Sequence, residues 1–191
     1  MLWGKRQLLE ERPAYKLRPV PEHLPDRWMT GTQNHEGIAS LVPAVNYLAQ
    51  LPRPSDLKLL DQGNRLPQQS SRSWQIHCGL AILQAYEAHL AARLLQALAE
   101  RPRFQVWGIT DPNRLDQRVP TVSITMEDRS PEEMAQHLAA RQIYAWHGNM
   151  YAIGLTERLG LEERGGFLRI GIVHYNTAEE IDRLVKALDE L

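Results

Sequence analysis

Residues 30–37 form a polar, glycine-bounded segment, Thr-Gly-Thr-Gln-Asn-His-Glu-Gly, that could bind an anion. It follows a proline-rich run and precedes an apolar stretch at residues 38–51, so we expect it to lead into the start of a helix. Backbone N–H groups and a hydroxyl at Gly31 and Thr32 would then meet the anion at the positive end of the helix dipole. Thr, Asn and Gly are also the residues that any helix start prefers, so on chemistry alone an ordinary N-cap and turn is the favoured interpretation of this segment.

Two further sets of polar residues could do chemistry. His35 and Glu36 are neighbours and could act as an acid and base pair, whereas His23, His137 and His174 could be gathered around a metal ion. No two of these histidines have the close spacing that a zinc site usually shows, and isolated histidines mostly lie at the surface or in ordinary hydrogen bonds. We therefore expect no metal site and no catalytic pair here.

The composition excludes several classes of protein. The chain has 191 residues, a formal charge of −1, 43% hydrophobic and 24% charged residues, which are values typical of a globular domain. No Lys/Arg block provides a phosphate-binding patch, so we expect no nucleic-acid partner. We find no signal peptide and no run of eighteen apolar residues, so we expect a cytoplasmic protein that does not enter a membrane.

The single cysteine, Cys78, excludes an intramolecular disulfide. It lies within an apolar-striped helical segment, where a cysteine usually behaves as a small, buried hydrophobic residue. We therefore predict a buried and unreactive thiol.

The spacing of apolar residues and the positions of proline and glycine predict the helices and strands that must position these residues. The chain opens with an apolar fragment, residues 1–4, that resembles the end of a strand, so we expect that the domain has lost its beginning. Helices are predicted at 7–11, 38–51, about 57–60, 73–100, 131–141, 151–159 and from 178 onward, and strands at 104–109, 119–126, 143–147 and 167–173. Pro43 is expected in the first turn of its helix or at a bend.

The order of these elements from residue 73 onward predicts an α+β domain, a sheet with helices packed on one face. Ser130 and Thr177 each begin a capping box, which supports the helices that follow them. We expect a second, less compact part at residues 1–72 that acts as an interface segment and connector. The predicted division is therefore 1–72 and 73–191.

Five segments resemble, in order, the C-terminal half of the class V aminotransferases, and in particular their cysteine desulfurase-like branch. The ending Tyr-Asn-Thr-Ala-Glu-Glu-Ile-Asp, shortly after Arg169, carries more of this resemblance than the Gly-Thr pair does. The segments are residues 30–37, 118–123, 146–152, 168–171 and 174–182. The resemblance implies the α/β small domain of a fold type I enzyme dependent on pyridoxal phosphate, with a remnant of the large domain.

The resemblance also implies roles for particular residues. Gly31 and Thr32 match the segment that contacts the cofactor phosphate of the other subunit in a dimer, and Arg169 matches the arginine that binds the substrate α-carboxylate. From the sequence alone, a charge paired with a nearby acid would be the favoured interpretation of Arg169, and only the resemblance reverses it. The remaining substrate-binding candidates are Asn34, His35, His147 and Asn149.

In the family, the Schiff-base lysine and the partner of the pyridine nitrogen precede the part that this chain resembles. None of Lys5, Lys16, Lys58 and Lys186 matches that lysine. The resemblance thus implies an amino-acid substrate, pyridoxal phosphate without a covalent link to this chain, and a homodimer or a complementing N-terminal half. We expect no catalytic residue in this chain, which would be inactive alone.

The reaction branch stays open. His147 and Asn149 fall on the loop that in desulfurases carries the persulfide-forming cysteine, and this chain has no cysteine there. A lyase, a decarboxylase or a transaminase is compatible with the same residues. The alternative is a catalytically silent α+β binding module derived from the family.

Overall fold

The computed structural model describes residues 3–29, 31–52 and 71–191. It divides into two compact units, Met1–Gly79 and Leu80–Leu191, and each is described by itself. We expected a domain boundary between residues 72 and 73, and this boundary remains a prediction. The predicted helix near residues 57–60 lies outside the described residues.

The first unit consists of short helical elements. Its elements are α1 (Arg6–Glu11), a 3-10 turn (Asp26–Trp28), α2 (His35–Gln50) and the first turns of α3 (Arg72–Ala99). The Trp28 indole N–H donates to the Leu9 carbonyl oxygen at 3.0 Å, which joins the 3-10 turn to α1. No residue of α1, the 3-10 turn or α2 is buried.

The expected strand end is wrong for the residues described, and so is the alternative that placed Pro43 in the first turn of its helix. Trp3 and Gly4 are irregular, and the Trp3 side chain is 80% exposed, since no strand lies beside it among the described residues. Pro43 lies in the ninth of sixteen positions of α2, because the helix begins at His35 and not at residue 38. The polar residues His35, Glu36 and Gly37 therefore form the first turn of α2.

The predicted long helix is confirmed as α3 (Arg72–Ala99). Its C-terminal half has the expected buried stripe, with Leu90, Leu94 and Leu98 in the core of the second unit. Leu80 was expected on the same stripe but is 47% exposed, because the core of the second unit covers α3 only from Leu90 onward. The apolar stripe in the sequence therefore predicted a longer buried segment of α3 than the core of the second unit covers.

The second unit is built on a four-stranded antiparallel sheet. Its strands are β1 (Phe104–Trp107), β2 (Val122–Met126), β3 (Trp146–Gly148) and β4 (Phe167–Ile170), in the order β1-β2-β4-β3. The shorter helices are α4 (Pro131–Ala139), α5 (Ile153–Arg158) and α6 (Ala178–Asp189), and a 3-10 segment spans Pro112–Gln117. The predicted α+β fold is confirmed, and the first two strands are antiparallel neighbours in the sheet.

One face of the sheet carries the core. Ile124 lies opposite Val106 on one side and Leu168 on the other, and direct antiparallel partners point to the same face. This face packs on α3, α4 and α6 through buried side chains, among them Leu90, Leu94, Met134, Leu138, Ile181 and Leu188. Helices therefore cover one face of the sheet, and we call the other the open face.

Local hydrogen bonds fix the ends of the helices. Both predicted capping boxes are present, with Ser130 and Glu133 at α4 and Thr177 and Glu180 at α6. Arg93 of α3 holds Asp182 of α6 through two bonds of 2.7 Å, and Arg101 pairs with Asp189 in the same manner. The first pair joins α3 to α6, and the second joins α6 to the segment that follows α3.

Candidate functional site

The candidate anion segment precedes α2 in the first unit. Gly31 has φ +119°, a conformation that L-residues rarely adopt, and a side chain added there would meet open space. Thr32 is exposed, and the Gln33 side-chain amide donates to the Gly31 carbonyl oxygen at 3.1 Å. Thr30 lies outside the described residues. Gly31 and Thr32 thus form an accessible bend before the positive end of a helix.

Asn34 acts as the N-cap of α2. Its side-chain oxygen accepts a hydrogen bond from the Gly37 backbone N–H at 2.8 Å, as expected of the ordinary helix start considered above. His35, the first residue of α2, has an exposed side chain that makes no hydrogen bond to any described residue. The oxygen of Asn34 is therefore engaged locally, whereas the imidazole of His35 is accessible.

Arg169 lies in β4 at the centre of the open face of the second unit. Its direct cross-strand partners are Ser123 on β2 and Trp146 on β3. Its side chain is exposed and makes no hydrogen bond or ion pair with any residue in the described ranges. The alternative of an arginine paired with a nearby acid is therefore not what the described residues show.

Three aromatic side chains share the open face with Arg169. One row of paired residues crosses the whole sheet, in the order Trp107, Ser123, Arg169 and Trp146. Phe167 lies on the same face two residues before Arg169 and is 6% exposed. The Trp107 and Phe167 rings meet edge to face with centroids 5.9 Å apart, and the Trp107 indole N–H donates to the Thr125 hydroxyl at 2.9 Å.

His147 is on the other face of the sheet. Its cross-strand partner is Leu168, whose side chain is in the core, so His147 points away from the face that carries Arg169. Its side chain is exposed because β3 is an edge strand. The structure therefore does not bring His147 and Arg169 together.

Asn149 is held in a hydrogen-bonded loop after β3. Its side-chain N–H donates to Glu162 at 3.0 Å, and its side-chain oxygen accepts from the Tyr151 backbone N–H at 3.1 Å. The buried Thr156 hydroxyl donates to the second oxygen of Glu162. The bonds from Thr156 and then Asn149 lower the pKa of Glu162. Asn149 thus orders its own loop.

The sequence analysis missed Trp146 as a neighbour of Arg169. The register of β3 against β4 decides that relationship, and alternation along a single strand does not give a register. Cys78 is buried with 1% of its surface exposed, which confirms the prediction of a buried thiol. In the ranges that the structure describes, no three His, Cys, Asp or Glu side chains cluster as metal ligands would.

No described helix is long and apolar enough to cross a membrane.

Comparisons with known sequences relate this chain to the aminotransferases. The family model described as Aminotransferase class-V matches residues 72–184. The aminotransferase-like protein FGM3 of Gibberella zeae is 35% identical over 107 residues, which are 54% of this chain and 26% of that protein. The chain thus spans about a quarter of the length of this curated relative.

Two solved structures share the fold. The cysteine desulfurase CsdA of Escherichia coli, in its S-sulfonic acid form, matches with a TM-score of 0.62 and 23% identity over 87% of this chain and 32% of that enzyme. The apo cysteine desulfurase of Thermococcus onnurineus NA1 matches with the same TM-score of 0.62 and 20% identity, over 87% of this chain and 33% of its own. The likeness confirms the predicted fold type I architecture over about a third of each enzyme.

Proposed function

The chain belongs to the aminotransferase class-V family, and from this premise we propose that it is the C-terminal part of a pyridoxal-phosphate enzyme that acts on an amino acid. Its contribution is the arginine that binds the substrate α-carboxylate, together with a segment that binds the cofactor phosphate. The observation that carries the proposal is Arg169, an exposed guanidinium in the middle of the open face that pairs with no residue in the described ranges.

The chemistry of Arg169 suits a carboxylate. A guanidinium is always charged and offers a planar fork of N–H donors that matches both oxygens of a carboxylate. Ser123 and Trp146, its partners on the two neighbouring strands, carry no charge, so neither can neutralise it. An incoming carboxylate therefore meets an uncompensated positive charge.

The described residues fit one part of the cofactor. Gly31 and Thr32 form an open bend before α2, and backbone N–H groups at such a position can receive a phosphate. Bound pyridoxal phosphate supplies an electron sink for reactions at the substrate α-carbon. Lys16, whose amine donates to the Val20 carbonyl at 2.7 Å and pairs with Glu22 at 2.8 Å, is engaged locally. We therefore propose that the amine for the cofactor comes from polypeptide outside this chain, which is inactive alone.

The exposed apolar surface of the first unit supports the proposal that further polypeptide completes the enzyme. Its helices α1 and α2 bury no residue, while Leu17, Ile38 and Val42 are exposed apolar side chains. We propose that a complementing N-terminal half or a second copy of the chain covers them. A silent binding module derived from the family would present the same surface, so a test must address the carboxylate site itself.

The test titrates the chain with propionate and follows backbone amide resonances by NMR. We expect saturable shifts near Arg169, and Arg169→Gln should weaken the binding about tenfold or more, because a charged hydrogen bond contributes about 1.5–3 kcal/mol. Arg158→Gln is the matched control, since Arg158 is also exposed and makes no hydrogen bond to a described residue. Equal binding by the chain and Arg169→Gln would refute the proposed role of Arg169.

The phosphate segment is tested in the same way. Pyridoxal phosphate should shift the Gly31 and Thr32 amide resonances, whereas pyridoxal, which lacks the phosphate, should leave them unchanged. Equal shifts with both compounds would contradict the assignment of this bend to the phosphate.

A further inference from the structure

The open face carries a second feature besides the guanidinium of Arg169, namely its aromatic surroundings. Trp146 is the direct antiparallel partner of Arg169, so the Cβ atoms of the two residues are about 4.5–5.5 Å apart on the same face. Trp146 is 67% exposed, and its indole makes no hydrogen bond to any residue that the structure describes. A large apolar ring thus lies beside a cation that no described residue pairs with, and both are accessible.

The other aromatic residues on this face are already engaged. Trp107 is held by its bond to Thr125 and by its edge contact with Phe167, and Phe167 is almost fully buried. Packing therefore accounts for Trp107 and Phe167, but it does not account for Trp146. Exposure of a ring of this size costs free energy in water, which a ligand or partner can recover.

The geometry points to a substrate class. We propose that Trp146 is a specificity-determining residue of the Arg169 site and selects amino acids with an aromatic or large apolar side chain. This inference rests on the proposed function, because it requires that Arg169 holds the carboxylate.

The reason is the distance between the two groups. An amino acid that is anchored by its carboxylate at Arg169 places its side chain a few ångströms away, which is the spacing of cross-strand neighbours. Toward β3 that neighbour is the Trp146 ring, and toward β2 it is the small side chain of Ser123. Contact between a substrate ring and the indole contributes beyond burial of area alone, whereas a small side chain gains little from it.

The test compares two carboxylates that differ only in a ring, 3-phenylpropionate and propionate. We measure both dissociation constants for the purified chain by NMR, from the backbone amides near Arg169 and from the tryptophan indole N–H resonances. We expect 3-phenylpropionate to bind about fivefold tighter, the factor that an aromatic contact of about 1 kcal/mol gives.

Variants identify the residue responsible. Trp146→Ala should abolish the preference for the ring, so that the two carboxylates bind with equal affinity, and Trp146→Phe should keep most of the preference. Trp3→Ala is the matched control, since Trp3 is an exposed tryptophan of the first unit, and it should retain the full preference. The edge position and exposure of Trp146 mean that its replacement should leave the core intact, which the amide spectrum of each variant checks.

The outcomes separate the two proposals. Equal affinity for both carboxylates, with binding that still depends on Arg169, overturns the selectivity assigned to Trp146 and leaves the carboxylate site standing. A ring preference that persists in Trp146→Ala also overturns it. Failure of both carboxylates to bind overturns the proposed function and this inference together.

Discussion

His147 of β3 lies opposite Leu168 of β4, on the face of the sheet that the helices cover. Arg169 follows Leu168 and therefore points to the open face. The two residues that the family resemblance assigned to one substrate site are thus separated by the sheet. A role for His147 at the carboxylate would require a different register of β3.

The first prediction concerns His147. His147→Ala should leave the dissociation constant for propionate within about twofold of the original, because the imidazole and the Arg169 guanidinium are on opposite faces. The measurement is the NMR titration described above, with Arg169→Gln as the variant that should lose binding. A tenfold weaker affinity in His147→Ala would show that the imidazole reaches the carboxylate.

The second prediction concerns the start of α2. Asn34→Ala removes the oxygen that caps the Gly37 N–H, so hydrogen exchange of the Gly37 amide should accelerate about fivefold, which corresponds to about 1 kcal/mol for an N-cap. Asn34→Asp keeps an oxygen in place and should retain most of the protection. The control is Ser40→Ala, since the Ser40 hydroxyl donates to the Gly37 carbonyl oxygen and leaves the N–H untouched. An unchanged Gly37 exchange rate in Asn34→Ala would contradict the cap.

The third prediction is a pH dependence of stability in the second unit. Hydrogen bonds lower the carboxyl pKa values of Glu133, Glu162 and Glu180 from their usual 4.5, with Ser130 as the chief donor to Glu133, Thr156 to Glu162 and Asn176 to Glu180. A lowered pKa in the folded state stabilises the protein above the pKa of the unfolded chain, and this contribution is lost as the pH falls through the folded value. The free energy of unfolding in urea should therefore decrease below about pH 4.5.

Glu162→Gln provides the specific check on this pH dependence. The variant should be less stable at neutral pH and should lose less stability on acidification than the original chain. Glu163→Gln is the control, since Glu163 is exposed and makes no hydrogen bond to a described residue. Identical acid profiles for the original chain and Glu162→Gln would exclude Glu162 as a source of the effect.

The fourth prediction concerns the cofactor. When the purified chain is mixed with pyridoxal phosphate and reduced with borohydride, mass spectrometry should find no lysine that is labelled stoichiometrically and alone. Lys16 is held by Val20 and Glu22, and no lysine here matches the one that the family uses. Full labelling of a single lysine, together with turnover of an amino acid, would overturn the proposal that the chain is inactive alone.

Local signals predicted most of the second unit. The capping boxes at Ser130 and Thr177 fixed where two helices begin, and the alternation around Ile124 identified the strand at the centre of the sheet. These features depend on residues close together in the chain, so a single sequence contains them.

Features that depend on pairing between distant segments could not be predicted. The register that places Trp146 beside Arg169 joins two residues more than twenty positions apart in the chain, and it decides which residues share a face. The apolar stripe of α3 likewise predicted burial of Leu80, although burial depends on what packs there and not on the stripe itself. The position of Trp146 beside Arg169 therefore became visible only from the assembled sheet.

The strand order β1-β2-β4-β3 affects how Arg169 would bind a ligand. It makes β4 an interior strand, so backbone pairs on both sides fix the Cα of Arg169 before any ligand arrives. The backbone share of the conformational entropy of placing this residue is consequently lost during folding, and a ligand has only the torsions of the side chain left to order. The site is in this sense preorganised.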